Sequence, residues 1–195
     1  MPRIAELERK TNETRIRARL NLDGGGLHEI STGIGFFDHM LTLMTAHGRF
    51  DLSIAAEGDL AVDLHHTVED VGLTLGQILS AALGDRKGIN RYGDAVVPMD
   101  DALAHVSIDL SNRPFLVFNV AEPVPRQNEF DVTLSREFFR ALAQKGGMNL
   151  HIRIPYGENW HHMIEAAFKA LGRSLRAAAD RDDRIQGVLS TKGSL

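Results

Sequence analysis

His65-His66-Thr67-Val68-Glu69 recurs 96 residues downstream as His161-His162-Met163-Ile164-Glu165. At the same spacing Leu75, Gly76, Leu79, Ala81 and Ala82 meet Leu171, Gly172, Leu175, Ala177 and Ala178, which makes eight identities within 18 positions. A self-match this dense at fixed period marks a duplication. Upstream the spacing becomes 98, where Asp51-Leu52-Ser53-Ile54 meets Asn149-Leu150-His151-Ile152 in two alternating, strand-like runs. The helix-like run from Asp38 to Met44 then falls on Arg136 to Leu142, which sets His39 against Glu137.

Each half is therefore expected to run strand, strand, helix, strand, helix. In the first half strands are predicted near 15–22, 27–31 and 50–56, with helices near 37–46 and 65–83. The second half repeats them as strands near 103–110, 114–120 and 149–154 and helices near 134–144 and 161–179. Asp23-Gly24-Gly25-Gly26 reads as a hairpin connection, and Gly146-Gly147 as a helix stop. Arg86 to Pro98, with two glycines and a proline, is the expected junction, dividing the chain into halves 1–90 and 91–195. The fold class is α+β: two tandem sheet-plus-two-helix units, each a two-layer sandwich, together forming one catalytic unit.

Composition narrows the function. The chain has 195 residues, of which 43% are apolar and 25% charged, ordinary globular usage that argues against disorder. A net charge of −4 offers no counterion-release footprint for nucleic acid. No stretch of about 18 apolar residues is present to span a membrane. There is no cysteine, which excludes disulfides, thiol catalysis and zinc–thiolate sites. The charged start lacks the apolar core of a signal peptide, and the expected location is cytoplasmic.

Nine histidines remain to be explained, and five of them lie in or near three clusters. If each His-His-x-x-Glu opens a helix, His65 and Glu69 share a face and can chelate one ion, while His66 points about 100° away toward another. The same split separates His161 with Glu165 from His162. Two such motifs predict a two-metal cluster shared between the halves, with His39 and Glu137 as further ligands. Imidazole and carboxylate donors without thiolate suit Mn, Fe, Co, Ni or Zn. His28, His47, His105 and His151 are expected to be structural or surface residues.

The chain resembles the imidazoleglycerol-phosphate dehydratase family over essentially its whole length. The matching strings include Arg9-Lys10-Thr11-Asn12-Glu13-Thr14, Gly35-Phe36-Phe37-Asp38-His39-Met40-Leu41 and Asp63-Leu64-His65-His66-Thr67-Val68-Glu69-Asp70. Gly88-Ile89-Asn90-Arg91-Tyr92-Gly93, Pro98-Met99-Asp100-Asp101-Ala102 and Ser111-Asn112-Arg113-Pro114 follow in order. Gly157-Glu158-Asn159-Trp160-His161-His162, Glu165 to Ala170 and Ser190-Thr191-Lys192-Gly193 complete the series.

The resemblance implies the ribosomal-protein-S5-domain-2-like fold in both halves, a homo-oligomeric 24-subunit shell with sites between subunits, and two manganese ions per active site. It assigns His39, His66, His161 and Glu165 to one ion, and His65, Glu69, His162 and position 137 to the other. Many relatives carry histidine where this chain has Glu137, and a carboxylate can take that place. The implied reaction is dehydration of imidazoleglycerol phosphate to imidazole-acetol phosphate in histidine biosynthesis, with the metal ligands lying around the substrate. By the same resemblance Glu13 is the proton carrier that touches substrate. Arg91, Arg113, Lys169, Ser190, Thr191 and Lys192 are the expected donors to the phosphate, for which arginine forks are well suited. The residues themselves leave two other readings open: a two-metal phosphatase or hydrolase, and a non-catalytic shell assembled by metal.

Overall fold

The computed structural model describes residues 2–121, 130 and 132–195. Its elements run β1 (Ile4–Lys10), β2 (Thr14–Asn21), β3 (His28–Ser31), α1 (Gly35–Gly48), β4 (Asp51–Gly58), α2 (His65–Leu83), β5 (Tyr92–Met99), β6 (Ala102–Asp109), β7 (Phe115–Val120), α3 (Val132–Gly146), β8 (Asn149–Tyr156) and α4 (Trp160–Ala179). Two four-stranded sheets result, ordered β1-β2-β4-β3 and β5-β6-β8-β7. In each, the first three strands of that order pair antiparallel and the short last strand joins parallel.

Alternation along the strands dictates which face is covered. Ile16, Ala18 and Leu20 of β2 are buried while Arg15, Arg17 and Arg19 are exposed, and Ala104, Val106 and Ile108 of β6 repeat the pattern. On β8, Leu150, Ile152 and Ile154 point inward and His151 and Arg153 outward. The helices fill the space between the sheets. α1 and α2 lie on the first sheet and α3 and α4 on the second, with α1 packed on α4 and α2 on α3. Phe37, Phe138, Phe139 and Phe168 interlock where the halves meet, Phe37 edge-on to Phe138 and Phe138 stacked on Phe168. Such pairs add to the area they bury, and here they fix one half against the other. No helix among the described residues is long and apolar enough to cross a membrane.

The two-halved α+β architecture is the one expected, but each half has a strand more than the alternation predicts. β1 and β5 are the additions, and both are edge strands. β1 is exposed or half-covered throughout and rich in Glu, Arg and Lys, so its sequence carries no apolar face to read. β5 contains Gly93 and Pro98, and proline is tolerated at a sheet edge where no ladder donor is needed. Gly93 is required because a Cβ there would stand 2.1 Å from the Ser174 carbonyl of α4. The segment expected as a junction thus supplies a strand of the second sheet.

The Asp23–Gly26 loop also differs from expectation. β4 lies between β2 and β3, so the loop is no hairpin but a crossover, gathered by Asp51. One carboxylate oxygen of Asp51 accepts from the backbone N–H of Gly25, Gly26 and Leu27 at 2.8, 3.2 and 3.0 Å. The helix stop at Gly146-Gly147 is as expected, with Gly147 at φ +60°.

Candidate metal centre and phosphate pocket

Helix α2 begins with its paired histidines and α4 one residue before its own, so both motifs sit in a first turn. On α4, Nε2 of His161 lies 3.0 Å from Oε2 of Glu165, one turn along the same face. His39 enters from α1 with its Nε2 3.3 Å from the same oxygen. The donor atoms of these three residues all lie within 4.8 Å of one another, with Glu165 buried. Burial alone would raise the Glu165 pKa, yet the ammonium of Lys169 and the two imidazoles hold it below the usual carboxylate range. A donor set of two imidazoles and one carboxylate suits a divalent first-row ion.

The duplicated counterpart is built from α2 and α3. Nε2 of His65 lies 3.7 Å from Oε2 of Glu69. Glu137 of α3 joins Glu69 through Arg140, whose Nη2 is 2.6 Å from Oε1 of Glu69 and 2.6 Å from Oε2 of Glu137. In both places the helix motif comes from one half of the chain and the third side chain from the other. His39 and Glu137 are equivalent by the repeat, but among the described residues only His39 closes a three-donor group; His65, Glu69 and Glu137 do not.

The second histidine of each motif turns away, as the 100° step requires. Nδ1–H of His66 donates to Asp59 at 2.9 Å, and Nδ1–H of His162 donates to Asp101 at 2.5 Å. These carboxylates raise both histidine pKa values and engage Nδ1, so that Nε2 is the ring atom left for a further partner. Neither His66 nor His162 joins a three-donor group within its own chain, among the described residues. Asp59 and Asp101 were not singled out from sequence. Asp101 lies in a quoted motif and was open to notice, whereas nothing in Gly58-Asp59-Leu60 signals it.

Glu13 lies in the β1–β2 turn, exposed, with Oε1 3.9 Å from Nε2 of His66. The duplication explains its place. Ala18 pairs with Ile54 and Val106 with Ile152, so these positions correspond. Glu13, five residues before Ala18, is then the counterpart of Asp101, five before Val106. Each faces the second histidine of its half. In the second half Asp101 is bound to that histidine, whereas in the first half Asp59 has taken over the contact and Glu13 is left free.

A separate cavity of about 550 Å³ is lined by Arg91, Arg113, Ser190, Thr191 and Lys192, five of the six expected phosphate donors. Arg91 is buried there, its guanidinium donating to both oxygens of Asp109 at 2.7 and 3.1 Å and to the Leu189 carbonyl at 2.7 Å. It thereby ties the C-terminal segment to β6. Arg113 is open, at 65% side-chain exposure, and 4.0 Å from Asp109. Lys169 does not line this cavity; its ammonium lies 2.6 Å from Oε1 of Glu165.

The family model described as imidazoleglycerol-phosphate dehydratase matches residues 32–175. The imidazoleglycerol-phosphate dehydratase of Desulfosudis oleivorans is 59% identical over 195 residues, covering all of both chains. That of Clostridium botulinum is 58% identical over 192 residues, 98% of each chain. Among solved structures, IGPD from Pyrococcus furiosus in complex with (S)-C348 superposes with a TM-score of 0.84 at 40% identity, covering 97% of this chain and 100% of that one. The Staphylococcus aureus imidazoleglycerol-phosphate dehydratase gives 0.82 at 38% identity, covering 92% and 99%.

Proposed function

Since the chain belongs to the imidazoleglycerol-phosphate dehydratase family and is a hydro-lyase of histidine biosynthesis, we propose that it acts through two manganese ions held by its duplicated histidine–glutamate groups. The carrying observation is the convergence of His39, His161 and Glu165 from opposite halves onto a space within 4.8 Å. His39, His161 and Glu165 would hold one ion with His66 of a second copy. His65, Glu69 and Glu137 would hold the other with His162 of a second copy. The turning of His66 and His162 onto Asp59 and Asp101, away from the motif glutamates of their own chain, supports this sharing, and with it a homo-oligomer, a 24-subunit shell, whose sites lie between copies. The cytoplasm, where no disulfide is called for, is the proposed location.

The reaction breaks a C–O bond and the C–H bond of the neighbouring carbon, and the resulting enol tautomerises to the ketone. When bound, the two ions supply Lewis acidity toward the substrate's imidazole ring, which helps the hydroxyl depart. Asp59 and Asp101 accept from Nδ1–H of His66 and His162, and so orient each ring with Nε2 as the atom left for an ion. Glu13, free of the carboxylate's structural duty, takes the proton from carbon at its Oε1 and later returns one. Arg113 with Ser190, Thr191 and Lys192 receives the phosphate, while Arg91 holds the C-terminal segment that carries these donors.

The test is turnover of imidazoleglycerol phosphate by chelator-stripped protein before and after manganese, with ketone and inorganic phosphate scored separately. Ketone that appears only with manganese is the expected result. Ketone formed equally well by stripped protein sinks the two-ion reading, and phosphate release moves the site to hydrolysis.

A further inference from the structure

We propose that Arg140 is a positioning residue for the second ion: it ties one oxygen of Glu69 and one of Glu137, so that each carboxylate meets the metal through its other oxygen alone. The proposal rests on the two-ion reading above and assigns within it a residue outside the expected ligand set.

The geometry is specific. Glu69 stands on α2 and Glu137 on α3, and one guanidinium nitrogen of Arg140 lies 2.6 Å from an oxygen of each. Nε of Arg140 adds a bond of 2.8 Å to the same oxygen of Glu137. An i,i+3 pair of Arg140 with Glu137 alone would be an ordinary helix-surface contact of little consequence. Reaching across to Glu69 is different, because two carboxylates converging on one place repel unless a cation stands between them. Held in this way, Glu69 keeps Oε2 toward His65.

The other half-site has the same arrangement from unrelated positions. Lys169 takes Oε1 of Glu165 at 2.6 Å, leaving Oε2 for His39 and His161. The repeat did not transmit either cation. The 96-residue spacing places Leu73 opposite Lys169, and the 98-residue spacing places Thr42 opposite Arg140. A cation on the outer oxygen of the motif glutamate has therefore arisen twice, once from the same helix and once from its neighbour. A recurrence that the duplication does not explain points to a shared requirement. Single-oxygen carboxylate ligands leave coordination positions open for substrate, and outer-shell partners of this kind fix ligand geometry.

The experiment titrates metal-stripped full-length protein, Arg140→Met and Arg140→Lys with Mn²⁺, reading free ion by its electron paramagnetic resonance signal. The unsubstituted chain should bind two ions. Arg140→Met should bind one of the two about 10- to 100-fold more weakly and the other unchanged, and Arg140→Lys should lose less. Equal or tighter binding of both ions by Arg140→Met overturns the proposal, as does a lysine variant as weak as the methionine one. Failure of the unsubstituted chain to bind two ions refutes the underlying reading instead, before Arg140 is touched. Circular dichroism checks the fold, and Arg140→Gln replaces the methionine variant if that one does not fold.

Discussion

Gly172→Ala tests how helix spacing sets the proposed metal site. A Cβ at Gly172 on α4 would lie 2.1 Å from the Met44 carbonyl of α1 and 3.0 Å from the Gly48 nitrogen. Ordinary contact begins near 3.4 Å, so the helices must part by about 1.3 Å at the crossing. Backbone on α1 cannot rotate aside as a side chain would, and overpacking of this kind costs about 1–3 kcal/mol. At roughly 2–4 °C per kcal/mol for a chain of this size, the melting temperature should fall by several degrees. The same face of α4 carries Glu165 two turns earlier, and α1 carries His39 just before Met44. A rigid parting would stretch the His39–Glu165 contact from 3.3 Å to about 4.6 Å. Displacements near 1 Å at a reacting centre can cost about 100-fold in rate. The repeat supplies an internal control in Gly76→Ala. There the nearest backbone atoms, the Gly146 nitrogen and Leu142 carbonyl, are 2.8 Å away, so the required parting is about half as large. Thermal melting of metal-stripped protein at matched concentration, with a Mn²⁺ titration alongside, reads both effects. A Gly172→Ala protein with unchanged melting and unchanged binding would refute the argument that backbone contact between α1 and α4 sets the site.

Glu13→Gln should keep fold and manganese content while turnover falls at least ~100-fold, the usual scale for acid–base catalysis; near-normal turnover removes Glu13 from the proton path. Asp101→Asn leaves an acceptor beside His162 but no charge, so one ion should bind about 10-fold more weakly by Mn²⁺ titration, with the other unaffected. Acid stability should depend on Asp23, whose pKa the Arg3 guanidinium lowers below the usual carboxylate value. Its stabilising contribution is present above pH 3.8, the ordinary value, and is lost as pH falls through the depressed one. Asp23→Asn should therefore melt lower at pH 7 and lose less on acidification below pH 3.8, followed by calorimetry; identical pH profiles would mean that the Arg3–Asp23 pair contributes nothing.

What the sequence disclosed follows from where its signals are strong. The duplicated motifs carry a helix period and a fixed spacing, so the start of α2 was legible to the residue, that of α4 to within one, and the split of each histidine pair with them. Buried central strands such as β2, β6 and β8 show clean alternation and were equally plain. β1 and β5 were not, because an edge strand has only one paired side and half-covered faces, and charge, glycine and proline are all acceptable there. The crossover to β3 was missed because three glycines look the same in a hairpin and in a loop wrapped around Asp51. Asp59 and Arg140 illustrate a further limit. Each acts through a side chain brought near by tertiary packing, and a lone aspartate or arginine has no spacing to betray it.

The structure also gives a physical account of how a duplicated chain came to have unlike halves. A carboxylate at the end of the first strand pair faces the second histidine in both halves, as Asp101 to His162 and Glu13 to His66. Where that carboxylate is the shorter aspartate, it binds Nδ1 at 2.5 Å and also accepts from the backbone of Glu158 and Asn159, three ties that lower its pKa and remove it from proton chemistry. Where it is the longer glutamate, Asp59 already occupies Nδ1 at 2.9 Å, and the glutamate stands off at 3.9 Å with more than half of its side chain exposed. A carboxylate held by three donors cannot shuttle a proton, and a free one cannot fix a ring. On the proposed mechanism the first half performs both tasks with two residues while the second performs only the ring-fixing one. The proton carrier is expected on the Glu13 side alone, although the proposed ligands are distributed over both halves.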